Sequence, residues 1–184
     1  MATRITTNSG RKGSATHFVS TALACLLTAG SLAATEPRDV QKATWRQAIK
    51  QGPTVGGRIP HYLVNRQLAS SYLDALRRVY RIQSCQDLFE QLGADGIDVL
   101  GNTTYTLASS DRAQQICDRA EAFTTVGGSI VWLCGTFGWL PPREATIVLI
   151  HEALHNAGLR EQPHYPDGPT GNEIDQMVEQ QCGF

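Results

Sequence analysis

The sequence predicts one α+β domain, and three observations lead to this fold class. Apolar residues make up 41% of the 184 residues and charged residues 18%, a balance that supports one hydrophobic core. Apolar residues recur at helical spacing from Tyr62 to Arg81, and a second long helix is expected over residues 141–158. Residues 122–126 and 129–134 are joined by two glycines, which is typical of a β-hairpin. The expected architecture has a helical N-terminal part, a short β-sheet and helices at the end.

The first 34 residues have the organisation of a secretory signal peptide. A basic stretch ends at Lys12, an apolar segment follows over residues 18–29, and small residues come next over 31–34. Cys25 lies in the apolar segment and would be removed with it. We therefore predict a secreted or periplasmic protein with a mature chain that begins at residue 35.

The charge distribution argues against two classes of partner. Residues 1–34 hold three basic groups and no acidic ones, so the other 150 residues hold 13 basic and 17 acidic groups, a net charge of −4. A protein that binds nucleic acid through phosphate contacts would be basic. No apolar run reaches the roughly 18 residues that a membrane span needs. We expect neither nucleic acid nor a membrane span.

The elements before the hairpin are predicted from local patterns. Residues 35–60 form an N-terminal segment and linker, because residues 35–50 have helical character and residues 51–60 contain three glycines and two prolines. The main domain then covers residues 61–184. After the first long helix, a shorter helix is expected over residues 85–92, and two short β segments over residues 97–100 and 103–107.

The mature chain keeps four cysteines, which suggests two disulfides in an exported domain. Four cysteines allow three connectivities. We favour Cys117–Cys134, because a short hairpin-like segment joins these two residues, and hence Cys85–Cys182. No Cys-x-x-Cys pair is present, so a zinc site made of cysteines is not expected.

His151, Glu152 and His155 form an HExxH motif inside the predicted helix of residues 141–158. Two histidines four residues apart lie on one face of a helix, so both imidazoles can bind one metal ion. The surrounding residues are largely apolar, and an unpaired polar group buried among them would cost about 1–3 kcal/mol. The motif therefore predicts a buried site for one Zn²⁺ ion.

The glutamate of the motif has the position of a catalytic base. Glu152 lies beside the face that carries the histidines, close enough to act on a zinc-bound water without being a ligand. Zinc lowers the pKa of such a water towards about 7. Glu152 would take a proton as the water attacks a peptide carbonyl and deliver it to the leaving amine. The sequence thus predicts hydrolysis of peptide bonds.

With these residues the sequence resembles the zincin metallopeptidases, the HExxH superfamily with one zinc ion between two lobes. The resemblance covers mainly residues 129–182 and implies a small zincin-like domain that acts on a peptide or protein substrate. The strand, Cys134, Phe137 and the HExxH helix also look like the fungal deuterolysin-type peptidases. Those enzymes take their third ligand from a Gly-Thr-x-Asp motif that this chain lacks.

The resemblance offers two frames for the third zinc ligand. The metzincin frame HExxHxxGxxH, aligned on residues 151–161, puts Glu161 at the final ligand position. The gluzincins, thermolysin among them, take a glutamate from the next helix, and that frame points to Glu173. His164, in a loop between two prolines, is a third candidate.

We select Glu173 and keep Glu161 as the alternative. The last helix contains Cys182, so the predicted disulfide would fix a Glu173 ligand to the body of the domain. Thr170 and Glu173 also have the spacing of a capping box, which would give Glu173 a purely structural role.

Further predictions concern the substrate. Tyr165 lies in the loop after the HExxH helix and is a candidate oxyanion stabiliser. A sheet edge beside the active helix commonly binds substrate backbone in zincins, and residues 129–134 are the candidate edge. The predicted function is a secreted zinc metallopeptidase. The alternative is a zincin-like zinc-binding interaction or toxin-associated module with little or no peptidase activity.

Overall fold

The computed structural model describes residues 37–56 and 62–184, so the predicted signal peptide and Cys25 lie outside the described residues. Seven α-helices, one 3-10 helix and four strands follow one another in this part of the chain. In chain order they are α1 Pro37–Gln51, β1 Thr54–Val55, α2 Tyr62–Arg81, α3 Gln83–Glu90, α4 Gly96–Asn102, β2 Thr104–Leu107, α5 Asp111–Cys117, β3 Ala122–Phe123, β4 Ile130–Leu133, η1 Gly135–Trp139, α6 Pro142–Asn156 and α7 Gly171–Gln181.

The four strands form one sheet in the order β1-β2-β4-β3. Strands β1, β2 and β4 are parallel, and β3 pairs with β4 in the antiparallel direction, with Phe123 opposite Trp132. The predicted hairpin is therefore present with shorter strands. Residues 130–133 are an interior strand, so the prediction that residues 129–134 form the edge is wrong. The edge beside β4 is β3.

The core is organised around α2, which packs against α6 and η1. Its side chains Leu68, Tyr72, Leu76 and Val79 are all fully buried. These are residues whose helical spacing predicted the helix, and its observed bounds agree with that prediction. The mixed α+β fold class is confirmed.

Two short elements differ from the predictions. Residues 97–100, predicted as a β segment, lie in helix α4, because the Asp95 carboxylate accepts hydrogen bonds from the backbone N–H groups of Ile97 and Asp98 and caps the helix. Residues 54–55, inside the predicted linker, form strand β1, and Gly56 N–H continues the pairing by donating to Tyr105 O over 2.7 Å. Helix α5, capped by Ser110, was not predicted.

Both disulfides have the predicted pairing. Cys85–Cys182 joins α3 to the residue after α7, and Cys117–Cys134 joins the end of α5 to the residue after β4. Within the described ranges, no helix has the length and apolar character to cross a membrane.

Candidate metal centre

Helix α6 carries the HExxH residues through the interior of the domain. Pro142 is its first residue, and the chain turns at Gly158, which has a φ of 112° that favours glycine. Most of its residues are buried, including Glu152 and His155 at 6% exposure each. Burying polar side chains on such a helix costs free energy unless other groups satisfy them.

The hairpin is fixed beside this part of α6. Gly127, in the turn between β3 and β4, donates its N–H to the carbonyl of His155 over 2.8 Å. The next residue, Asn156, donates to Thr103 Oγ1 (3.0 Å) and accepts from Thr124 Oγ1 (2.7 Å). The second histidine of the motif is thus held next to the edge of the sheet.

Three side-chain atoms converge at the centre of the site. His151 Nε2 lies 3.1 Å from His155 Nε2, and Glu161 Oε2 lies 2.9 Å from His155 Nε2 and 3.7 Å from His151 Nε2. Bonds of about 2.0 Å from zinc to tetrahedral ligands place those ligands about 3.3 Å apart. The observed separations lie on both sides of this value. Among the described side chains, these three residues are the group that could hold a metal ion.

The outer ring nitrogens of both histidines are already committed as donors. His155 Nδ1 donates to the carbonyl oxygen of Leu159 over 2.8 Å, and a carbonyl can only accept. His151 Nδ1 donates to Asp175 Oδ1, also over 2.8 Å. Neutral imidazoles protonated at Nδ1 direct the lone pair of Nε2 into the site. Two such lone pairs therefore meet a carboxylate oxygen, an arrangement that needs a cation or an extra proton.

The electrostatics of the site lead to the same requirement. Burial lowers the pKa of His151, but its hydrogen bond to Asp175 and the nearby carboxylates of Glu161 and Glu152 outweigh burial and raise this pKa to about 10. The nearby imidazoles, His151 first and then His155, lower the pKa of Glu161. The carboxylates therefore stabilise positive charge at the position where the three atoms converge.

Glu161 reaches the histidines because the chain reverses directly after α6. The carbonyl of Leu159 that accepts from His155 lies two residues before Glu161, so the turn and the site share a hydrogen bond. Gly171, the first residue of α7, lies against the carboxylate. A Cβ atom at Gly171 would be 2.5 Å from Glu161 Oε1 and 3.9 Å from His151 Cε1. The position of Glu161 thus depends on the absence of a side chain at residue 171.

The structure does not bring Glu173, the selected third ligand, into this group. Its Oε2 accepts from the backbone N–H and from the hydroxyl of Thr170, both over 2.8 Å, and Glu173 N–H donates to Thr170 Oγ1 over 3.3 Å. This is the capping box, and its hydrogen bonds lower the pKa of the exposed Glu173. The alternative ligand, Glu161, occupies the position that we assigned to Glu173.

Asp175 is a site residue that the sequence analysis missed. It lies in the first turns of α7, two residues after Glu173, and its carboxylate orients His151 from outside the cluster. Carboxylates that accept the outer N–H of a ligand histidine fix its tautomer and ring orientation. In the sequence, Glu173 and Asp175 flank the buried Ile174, and the ligand prediction used Glu173 alone.

Glu152 lies beside the cluster without joining it. Its Oε2 is buried and has no hydrogen-bond partner within the described part of the chain. Burial raises the pKa of Glu152 to about 7, aided by Glu161 and Asp175 and opposed by His151. A carboxylate with a pKa near neutrality can both accept and return a proton.

The site opens into a cleft of about 1050 Å³, which Glu152 and the three clustered residues line. Edge strand β3 and the following Thr124 and Thr125 form another part of its wall. His164 also lines the cleft but is not part of the cluster. Tyr165, the candidate oxyanion stabiliser, does not line it, and its ring lies 5.1 Å from the guanidinium carbon of Arg160.

No protein-family model matches the chain, and no curated protein or solved structure shows significant similarity to it. The site is therefore interpreted from its own geometry.

Proposed function

We propose that this protein is a secreted, zinc-dependent metallopeptidase with a zincin-like site in which His151, His155 and Glu161 hold the metal. The observation that carries the proposal is the convergence of three electron-pair donors beside a buried, unpartnered carboxylate. With both histidines protonated at Nδ1, their inner nitrogens and Glu161 Oε2 are three acceptors that face one point, where a metal ion would supply the positive charge.

Zinc is the metal that best fits this donor set. Two imidazole nitrogens and one carboxylate oxygen are a ligand set of catalytic zinc sites, which keep a fourth position open. The cleft gives the site the access that this fourth position needs. A zinc ion bound there supplies a Lewis acid and a water of lowered pKa.

The residues of the chain then have separate tasks. Glu152 takes a proton from the attacking water and returns it to the leaving amine, a role for which its buried Oε2 beside the cluster has no competing partner among the described residues. Asp175 and the carbonyl of Leu159 hold the two histidines in the tautomer that leaves Nε2 free to bind. Tyr165 has no part in this scheme, because it lies outside the cleft wall.

A polypeptide substrate is consistent with the form of the cleft. Its volume of about 1050 Å³ is at the upper end of the range for small-molecule pockets. Strand β3 is paired on one side only, so an extended peptide could add to its other edge by backbone hydrogen bonds. Two disulfides favour an oxidising compartment, in keeping with secretion.

The first test is the zinc content of the purified mature chain, residues 35–184, measured by mass spectrometry of dissolved metals. We expect about one zinc ion per chain, lost in His151→Ala and Glu161→Ala and kept in Glu173→Ala. A folded protein without zinc would refute the metal site. Zinc retained in Glu161→Ala but lost in Glu173→Ala would make Glu173 the third ligand, in spite of its hydrogen bonds in the capping box.

The second test separates an enzyme from a zinc-binding module. Glu152→Gln keeps the size of the side chain, lies outside the ligand set and should leave the zinc content unchanged. Cleavage of a peptide library by the wild-type protein, lost in Glu152→Gln, would support the peptidase. No cleavage by a fully zinc-loaded wild-type protein would favour the interaction module.

A further inference from the structure

The far wall of the cleft is formed by α5 and the residues after it, and it has no part in the chemistry proposed above. Arg112, Ile116 and Arg119 line the cleft from this wall. Arg112 and Ile116 are four residues apart on one face of α5, and Arg119 follows in the turn after the helix. The cleft therefore has a second set of side chains, separate from the metal ligands, that a substrate would meet.

The charges of this segment are divided between two faces. Asp111 and Asp118 each precede one of the arginines in sequence, but neither lines the cleft. Arg112 and Arg119 have no ion pair and no hydrogen-bond acceptor among the described side chains. Glu121 is the acidic residue on this side of the cleft, so the wall keeps a net positive charge. Two unpaired guanidinium groups on a cleft wall are suited to a carboxylate ligand.

An apolar surface adjoins the arginines in the same cleft. Phe123 and Trp132 stack with their ring centroids 5.4 Å apart and their planes at 15°, and both line the cleft. Ile116 is 40% exposed there. A large apolar or aromatic side chain of a bound peptide would remove this surface from water.

The wall is also held in place before anything binds. The Cys117–Cys134 disulfide joins the helix that carries Arg112 and Ile116 to the end of β4, the strand that carries Trp132. A preorganised surface loses less conformational entropy on binding than a mobile loop.

From these observations we propose that the α5 wall selects peptides that carry an acidic residue next to a large apolar or aromatic one. The inference rests on the proposed function, because it assumes that the cleft takes a polypeptide. The aromatic pair and Ile116 receive the apolar side chain, and Arg112 and Arg119 receive the carboxylate.

The test measures binding rather than cleavage, so that it does not depend on catalysis. Two fluorescein-labelled decapeptides with a central Phe, flanked by Asp in one and Asn in the other, are titrated with the Glu152→Gln protein and followed by fluorescence anisotropy. Each exposed ion pair should strengthen binding about 1.4- to 5-fold, so two should make the Asp peptide bind about 2- to 30-fold more tightly.

Matched variants identify the source of the preference. Arg112→Gln/Arg119→Gln should reduce the difference between the peptides to less than about twofold. Arg77→Gln/Arg81→Gln removes the same number of positive charges from α2, outside the cleft, and should leave the preference for the Asp peptide intact. Arg112→Lys/Arg119→Lys keeps the positive charges and should retain most of the preference for the Asp peptide. Comparison with the glutamine variant therefore separates the effect of charge from a general disturbance of the fold.

The outcomes distinguish the two proposals. Equal binding of the Asp and Asn peptides would overturn the inference and leave the peptidase function standing. Selective binding of the Asp peptide, combined with no cleavage by the zinc-loaded wild-type protein, would overturn the peptidase and leave the selective surface standing. If the decapeptide with Ala in place of its central Phe bound equally tightly, the role of Phe123, Trp132 and Ile116 in the inference would be overturned.

Discussion

Replacing Gly171 by alanine should weaken zinc binding while leaving the fold intact. The added Cβ would lie 2.5 Å from Glu161 Oε1, whereas ordinary contacts begin at 3.4 Å, so the carboxylate must move by about 0.9 Å. Metal ligands in real sites keep their distances within about 0.2 Å. The obstructing atom is the end of a flexible side chain, so the displacement falls on the site rather than on the backbone.

The expected size of the effect follows from comparable sites. Disturbing the groups that position metal ligands costs about 10- to 100-fold in metal affinity, and we expect Gly171→Ala to fall in or above this range. The free energy of unfolding of the metal-free protein should change by less than about 1 kcal/mol, because alanine is the better helix former.

The assay is a competitive zinc titration against a chromogenic chelator, with thermal unfolding of the metal-free protein measured in parallel. Gly135→Ala is the matched control, because its Cβ would meet no atom within 4 Å. Unchanged zinc affinity in Gly171→Ala would refute the reasoning that the carboxylate of Glu161 is a ligand held in this position. A large fall in the unfolding temperature of the metal-free variant would show that residue 171 acts on the fold instead.

Three other changes test separate parts of the structure. Asp175→Ala removes the acceptor of His151 Nδ1 and should weaken zinc binding about 10- to 100-fold in the same titration. Arg78→Ala removes two 2.8 Å hydrogen bonds to the carbonyls of Cys182 and Gly183 and a 3.7 Å contact with the Phe184 ring. It should lower the free energy of unfolding, measured in urea, by about 2–3 kcal/mol. An equal loss in the control Arg81→Ala, at an exposed position of the same helix, would contradict this. Tyr72→Phe removes a buried hydroxyl without a partner and should be neutral or stabilising at neutral pH. Burial raises the pKa of Tyr72 to about 12, whereas tyrosine in the unfolded chain ionises at a pH of about 10. The wild-type protein should therefore lose stability as pH rises from about 10 towards 12, because the unfolded state releases the proton first. Tyr72→Phe should lose less stability over that interval.

The long helices could be predicted because their signals are local and repeated. In α2, four apolar residues at helical spacing became four fully buried side chains. In contrast, α4 is short, and its apolar residues also fit a strand. The signal that decides for a helix is the Asp95 side chain, which caps its first turn.

The HExxH motif could be read from spacing, whereas the carboxylate that joins its two histidines could not. HExxH fixes the relation of His151 to His155 through helix geometry alone. Glu161 and Glu173 are both compatible with known frames, and the choice depends on how the chain turns after Gly158. The capping box signal at Thr170 was visible in the sequence and correctly described the hydrogen bonds of Glu173.

The two disulfides are nested, since residues 117 and 134 lie between residues 85 and 182. The cluster of His151, His155 and Glu161 and the whole cleft wall of α5 and β3 therefore belong to one covalent ring closed by Cys85 and Cys182. A single cut anywhere inside the ring would open the chain without releasing a fragment, so that the nicked molecule migrates as one species until its disulfides are reduced.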